Sequence, residues 1–486
     1  NLSTAQAMQR AREVGVRKVM GADRGQLFAQ FLGESALVFV IALGLAIGLM
    51  YALMPLYNEL SGKTMTLNLF RPQTALTLVG ALAVTLLLAG IYPTLLLSSF
   101  QPLQVMKGKL SAGHSGAAFR RVLVVVQFAI SVVLIVGTLV MKGQLQYIRE
   151  MQLGYDRENV FSFGMRGEMG GRFGSIRNEL LKETGVTGVT RAGSNLLAID
   201  GTTSDTHWEG KDPQRMFLIH PMAVDEAFLE TFRMPLVAGK GFTGSKADST
   251  HFILNETAVR EAGIKDPVGK RFKLWDTEGT IIGVVRDFHF TSIRQKIEPA
   301  IFFYRPDWCW NVYVKTTGQD APKAIAVAEK LWKTFNPAYP FEYHFMDDSY
   351  DRMYRADQRT GTLFDCFAAV AILISCLGLF GLATHTAQRR VKEIGIRKVL
   401  GASVANLVAL LSKDFLRLVL AAFVLAVPVA WYAMDRWLQN FAYRISVGWW
   451  VFAMAGAAAV TIALLTVSFQ SIKAALANPV QSLRSE

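Results

Sequence analysis

Apolar residues in this chain come in long unbroken runs, not in the short alternating stretches of a water-soluble domain. About 20 consecutive apolar residues cross ~30 Å of hydrocarbon as a helix. Six segments follow that pattern without a charged residue: 35–58, 73–105, 122–141, 366–388, 418–434 and 445–472. The first and fifth have amphipathic approaches beginning at Gln26 and Val404. One such run suits a buried helix of a large soluble protein. Six in one chain predict an α-helical membrane protein with six transmembrane helices.

The segment between the third and fourth runs, 142–358, has a different grain. Short period-2 or apolar stretches between turn residues predict strands at 160–163, 252–254, 280–285, 300–304 and 311–315. Helical patterns occupy 174–184 and 322–335. At 217 residues the segment is long enough for its own core. It reads as one α+β domain. Its ends, 142–151 and 348–360, mix polar and apolar residues and adjoin the neighbouring spans, which predicts a pair of solvated stalk helices.

Charge then orients the chain. Only 18% of residues are charged, and the net charge is +13 from 51 Lys+Arg against 38 Asp+Glu. Such a surplus suits nucleic acid or anionic lipid, and its placement decides between them. Segments 1–26, 99–121, 386–403 and 471–486 hold sixteen Lys and Arg, while the alternate short loops 55–72 and 435–444 hold four. The positive-inside rule makes the first set cytoplasmic. The domain 142–358 is then extracytoplasmic, and no nucleic-acid partner is needed. Cys309, Cys366 and Cys376 form no CxxC pair and no metal spacing.

The chain also repeats itself. Glu13-Val14-Gly15-Val16-Arg17-Lys18-Val19-Met20-Gly21-Ala22 recurs 380 residues later as Glu393-Ile394-Gly395-Ile396-Arg397-Lys398-Val399-Leu400-Gly401-Ala402, with seven of ten residues identical. Each decamer precedes an apolar helix, a polar loop and a second apolar helix. The tails Phe100-Gln101-Pro102-Leu103-Gln104 and Ala477-Asn478-Pro479-Val480-Gln481 correspond, and Glu34 has its counterpart in Asp414. Such repeats suggest halves related by a pseudo-two-fold axis. The division is 1–121 for the first half, 122–141 for a span, 142–358 for the domain and 359–486 for the second half. Asn1 aligns with Gly381, inside the helix that precedes the second copy. The repeat therefore predicts a further helix, domain and helix ahead of Asn1.

Both decamers are cytoplasmic, and their local physics predicts an elbow. Glu13 and Arg17, like Glu393 and Arg397, stand at i, i+4 in the favourable order. Val14, Val19 and their counterparts are expected to form an apolar face, with Arg17, Lys18, Arg397 and Lys398 reaching into water. Gly21 and Gly401 suit a left-handed helix stop. Asp23 and Ser403 stand where a cap starts the next helix. The bland alternative is a pair of positive-inside anchors. Near-identity of the two copies favours a docking role for Glu13, Gly15, Arg17, Lys18, Gly21, Glu393, Gly395, Arg397, Lys398 and Gly401. Glu34 and Asp414, acidic residues near cytoplasmic helix ends, are functional candidates, or pair at headgroup level with a base such as Lys413 or Arg417.

The pattern E-[VI]-G-[VI]-R-K-V-[ML]-G-A resembles the hallmark of FtsX-like permease domains. The runs Gly154-Tyr155-Asp156-Arg157-Glu158-Asn159-Val160, Val224-Asp225-Glu226-Ala227-Phe228 and Gly283-Val284-Val285-Arg286-Asp287-Phe288-His289 resemble the MacB-type periplasmic core. The resemblance implies a duplicated permease subunit of a mechanotransmission-type ABC transporter in the bacterial inner membrane. A separate cytoplasmic ATPase, as a dimer, would bind ATP and Mg, leaving this chain without a cofactor. Membrane lipid and a periplasmic adaptor or effector are the other implied partners. The chain lacks a P-loop of its own: Gly62-Lys63-Thr64 has Tyr57 where the first glycine belongs. It has no H-E-x-x-H and no G-x-S-x-G, so no catalytic site is expected. The rival readings are an FtsX-like signalling protein that activates cell-wall hydrolases or a sensor kinase, and an ion-driven secondary transporter. The second is weakened because neither acid lies mid-span. Trp208, Trp275, Trp308 and Trp310 suit either a ligand groove or core and interface anchors.

Overall fold

The protein's computed structural model describes residues 17–91, 114–212 and 214–476. Glu13, Gly15, Val14 and the two matching tails lie outside the described residues. The chain divides into two units. One comprises Asn1–Gln144, Asp357–Trp437 and Ser446–Glu486, and the other Leu145–Ala356 with Leu438–Ile445.

The first unit is helical. Its helices are Arg24–Ser61, Pro72–Thr85, Arg355–Arg389, Val391–Val399, Val404–Leu438 and Trp449–Leu476, together with most of His114–Glu150. Among the described residues five are long and apolar enough to cross a membrane. The second expected span is helical from Pro72 to Ile91, the last turns Leu86–Ile91 being π-helical. The remainder of that span lies outside the described residues. Pro428 sits inside the Val404–Leu438 helix, a placement that membrane helices tolerate.

Burial in this unit follows narrow stripes. Val419, Ala422, Ala426 and Ala430 are buried on one helix, and Val451, Ala455, Ala459 and Ala463 on the next. Leu425 and Leu465, off these stripes, are exposed at 58% and 69%. Small residues at the seam let helix backbones approach where lipid offers no hydrophobic driving force. The His114–Glu150 and Arg355–Arg389 helices pair antiparallel. Ser131 Oγ lies 3.0 Å from Ser375 Oγ, and Lys142 forms a 3.0 Å ion pair with Asp365.

The second unit is built on an eleven-stranded mixed sheet. Its strands are β1 (Val160–Gly164), β2 (Val186–Ala192), β3 (Thr206–Trp208), β4 (His220–Val224), β5 (Leu236–Gly239), β6 (His251–Asn255), β7 (Arg271–Leu274), β8 (Thr277–Val285), β9 (Ala300–Tyr304), β10 (Asn311–Thr316) and β11 (His344–Phe345). The order is β11-β1-β10-β2-β4-β9-β6-β8-β7-β3, with β5 against β8. The pairs β4–β9 and β6–β8 are parallel, and the others are antiparallel. Helices Phe173–Leu181 and Ala321–Phe335 close a core of Phe161, Ile176, Leu180, Val314 and Trp332. A second core gathers Trp208, Phe252, Phe272 and Ile301. All five expected strands are present, as β1, β6, β8, β9 and β10.

The expected single helical run from 348 is corrected. Met346–Met353 and Arg355–Arg389 are separate helices. The break falls at Tyr354, a buried side chain whose hydroxyl oxygen accepts from the Ile293 N–H at 2.9 Å. Tyr350 donates to the Ile148 carbonyl at 3.1 Å, tying this corner to the end of the His114–Glu150 helix.

Candidate functional site

The two decamers end in the same backbone geometry. In the first, the Gly21 N–H donates to the Lys18 carbonyl at 3.1 Å and the Ala22 N–H to the Arg17 carbonyl at 3.0 Å. In the second, Gly401 donates to Lys398 at 3.1 Å and Ala402 to Arg397 at 2.9 Å. This pair of bonds is a Schellman stop, which requires a left-handed residue after the helix. Gly21 and Gly401 supply it at φ +98° and +90°. An L-residue in that region is strained, so glycine is the residue the joint calls for.

The next helix starts at once. Asp23 accepts from the Gly25 N–H at 3.2 Å, while Gln26 Oε1 receives the Asp23 N–H at 3.4 Å, closing a capping box. Ser403 Oγ accepts from the Asn406 N–H at 3.3 Å in the second copy. In each copy the helical residues ending at Val19 or Val399 are thus joined to the next helix by four residues, through the same pair of backbone hydrogen bonds and a side-chain cap. Ile394 packs against Leu407, Leu411 and Ala402, and the corresponding Leu27 and Phe31 are buried in the first copy.

The apolar face differs from the one expected. Ile394 is buried, but Val399 and Val19 are 67% and 62% exposed. Five helical residues separate Ile394 from Val399, which turns the two side chains about 140° apart. Val19 and Met20, and Ile396, Val399 and Leu400, instead present apolar side chains outward beside the basic residues. The expected Glu393–Arg397 pair forms at 2.9 Å with both side chains nearly half exposed, worth at most a few tenths of a kcal/mol, on the order of 0.3–0.5. Arg17 donates to Gln30 Oε1 at 2.8 Å, and Gln30 Nε2 donates to Glu34 Oε1 at 3.1 Å. That chain of contacts couples the first elbow to one of the two acidic candidates. Asp414 is ion-paired with Arg390 at 3.3 Å, a base twenty-four residues away in sequence rather than Lys413 or Arg417. Both acids are therefore held by groups at or beside the elbows. Gly395 is buried in the short helix Val391–Val399.

In the second unit, Asp225 of the Val224-Asp225-Glu226 run is buried. It accepts from the Thr190 hydroxyl, from the Arg191 N–H at 3.1 Å and from the Ala227 N–H at 3.2 Å. Burial pushes its carboxyl up to about 6, against these hydrogen bonds. Asp156 goes the other way: burial would raise it, but Lys315, the Glu158 N–H and Arg233 together hold it below the usual carboxylate range. Asp225 directly follows β4, and Asp156 stands four residues ahead of β1. Among the described residues no cluster of His, Cys, Asp or Glu forms a candidate metal site.

One anchor was not anticipated. The short loop 438–445 is part of the second unit. The Ala442 N–H donates to the Arg294 carbonyl at 3.2 Å, Arg294 lies 5.0 Å over the Phe441 ring, and His289 meets Tyr443 edge-on at 4.9 Å. Two aromatics, Phe441 and Tyr443, in an eight-residue loop were the available signal. Of the four tryptophans singled out, Trp208 is core, stacked on Phe272. Trp275, Trp308 and Trp310 line one cavity of about 630 Å³.

Among the described residues, apolar membrane-length helices with small-residue seams, paired elbows and a separate α+β unit define a multi-pass membrane protein. The FtsX-like permease C-terminal family model matches residues 1–102 and 366–479, the two repeats. Both membrane halves are thus similar to FtsX-like permease domains. No curated protein matches the sequence. Among solved structures, the periplasmic region of MacB from Actinobacillus actinomycetemcomitans aligns at 17% identity over 43% of this chain and 98% of its own, with a TM-score of 0.31. The extracellular domain of the noncanonic ABC-type transporter YknZ from Gram-positive bacteria aligns at 16% identity over 38% and 98%, with a TM-score of 0.29. A domain of a putative permease protein from Porphyromonas gingivalis aligns at 20% identity over 40% and 90%, with a TM-score of 0.28.

Proposed function

We propose that this permease works by mechanotransmission: a separate cytoplasmic ATPase pushes on the two elbows, and the movement is delivered to the extracytoplasmic domain. The observation that carries the reading is the identity of the two joints. A short helix closed by two backbone hydrogen bonds and followed at once by a capped helix transmits a push without bending. Two such joints match the two equivalent grooves of a dimeric ATPase. Each offers basic side chains for an acidic groove and exposed apolar side chains, Met20 and Leu400, for its floor. Arg17, Lys18, Arg397 and Lys398 are the docking charges, and Gly21 and Gly401 the joints. ATP and Mg belong to the partner. Surrounding lipid contacts the exposed helix faces, and a periplasmic adaptor or effector receives the output.

A photo-crosslinking residue in place of Leu400, in the full-length chain in native membranes, tests this. The expected product is a crosslink to an ABC ATPase, with none from the same probe in place of Trp449. Crosslinks from position 400 to lipid alone would contradict the docking role.

A further inference from the structure

The cavity beside β9 and β10 is walled by rings set at angles to one another. Trp275 meets Phe303 at 5.5 Å and 89°, Phe303 meets Trp308 at 6.0 Å and 88°, and Trp275 meets Trp308 at 6.0 Å and 45°. Parallel rings would make a flat platform, whereas rings at these angles form the corner of a box. Trp308 and Trp310 are 46% and 56% exposed and stand together in the lining. Gly193 backs this wall: a Cβ there would lie 2.8 Å from the Trp308 carbonyl.

Trp275 carries a second sign. It occupies the two-residue connection between β7 and β8 at φ +50°. A bulky residue in the left-handed region is an outlier, and such residues concentrate at ligand clamps where surrounding structure holds them. Here the Trp275 N–H donates to the Asp205 carbonyl at 3.0 Å, and its indole N–H to Thr203 Oγ1 at 3.2 Å. Both bonds fix the plane of the ring that faces the cavity.

Charge selects the occupant. Among the described residues Asp200 is the one ionisable side chain lining the cavity, and the rest of that lining is aromatic, small or neutral polar. Aromatic faces carry negative quadrupole density and attract organic cations, most strongly at tryptophan. Trp308 already takes a cation from the protein, with the Arg305 guanidinium 5.6 Å from its centroid. Asp200 adds a carboxylate to the same lining. We infer that this cavity is a binding site for an organic ammonium cation, whether a soluble molecule or a lipid headgroup.

The test uses the full chain in lipid discs of phosphatidylglycerol, titrated with choline and with its uncharged isostere 3,3-dimethylbutanol by ligand-observed NMR. Choline is expected to bind measurably tighter than the isostere. Trp308→Ala is expected to weaken choline roughly 3- to 30-fold, and Asp200→Asn roughly 2- to 5-fold. Trp449→Ala, in a membrane helix, leaves the affinity as it was. Choline affinity that falls when phosphatidylcholine is added to the discs identifies a headgroup as the natural source, and affinity that holds identifies a soluble cation. Equal binding of choline and isostere, or unchanged choline affinity in both Trp308→Ala and Asp200→Asn, overturns the site.

Discussion

The extracytoplasmic unit buries Phe161, Phe228, Phe302 and Tyr313 almost completely, whereas the membrane unit buries Ala422, Ala426, Ala430, Ala455, Ala459 and Ala463 along its seams and leaves Leu425, Val429 and Leu465 exposed. The two rules come from two solvents. In water, removing a large ring from solvent is the main favourable term. In lipid, an exposed leucine costs nothing, and helices associate through close backbone approach and a few polar contacts such as Ser131 with Ser375. A single chain therefore packs one unit around large rings and the other along small-residue seams.

That contrast predicts where substitutions hurt. The largest effect is expected at Phe302, which stacks on Phe288 at 5.3 Å and meets Phe228 at 5.5 Å. Phe302→Ala should destabilise the extracytoplasmic unit by about 3–5 kcal/mol, read as an earlier denaturation midpoint of the full chain with membrane insertion unchanged. Next comes the reverse substitution on the other side. Ala426→Leu adds bulk at a buried seam and should cost about 1–3 kcal/mol, while the larger-to-smaller Leu425→Ala, facing outward, should leave thermal stability within about 0.5 kcal/mol. Equal sensitivity at 425 and 426 would break the comparison.

A pH dependence is expected in the extracytoplasmic unit. Asp225, raised to about 6 by burial, binds its proton more tightly folded than unfolded. Its contribution is fully present below the ordinary value of 3.8 and is lost as pH rises through about 6. His289, held low by burial, changes stability in the opposite sense as pH falls below 6.5. Asp225→Asn leaves His289 in place, so the wild-type-minus-variant difference isolates Asp225. The wild type should gain up to about 2–3 kcal/mol relative to the variant between pH 7 and pH 4. A flat difference in denaturation midpoints across that range would remove Asp225 from the account.

The same contrast explains what the sequence made legible. Charge-free runs of membrane length announced the spans, and the repeated decamer announced both elbows down to Gly21 and Asp23. The central strands β8, β9 and β10 showed because burial demands apolar runs. β3 and β11 span three and two residues, too short for a period to emerge. β2, Val-Thr-Gly-Val-Thr-Arg-Ala, is held by its neighbours rather than by its own hydrophobicity. The exposed Val19 and Val399 were misplaced because apolar character alone does not say which side of a nine-residue helix faces the protein. Nor does charge spacing along one helix reveal Arg390 as the partner of Asp414, since that contact joins two helices. The cage at Trp275 depends on ring angles and a left-handed φ, neither of which a linear pattern carries.

The central claim is that the elbows dock the ATPase, and a double charge reversal tests it most directly. Arg17→Glu with Arg397→Glu places a like charge at i, i+4 from Glu393 and Glu13, a helix penalty of only ~0.2–0.5 kcal/mol per site. Helix melting therefore does not account for a large loss of binding. Recovery of the ATPase with the affinity-purified full-length variant, at physiological salt and with insertion verified, is the measurement. The account predicts loss of most of the ATPase relative to wild type. Undiminished recovery would contradict it and leave the decamers as topology anchors.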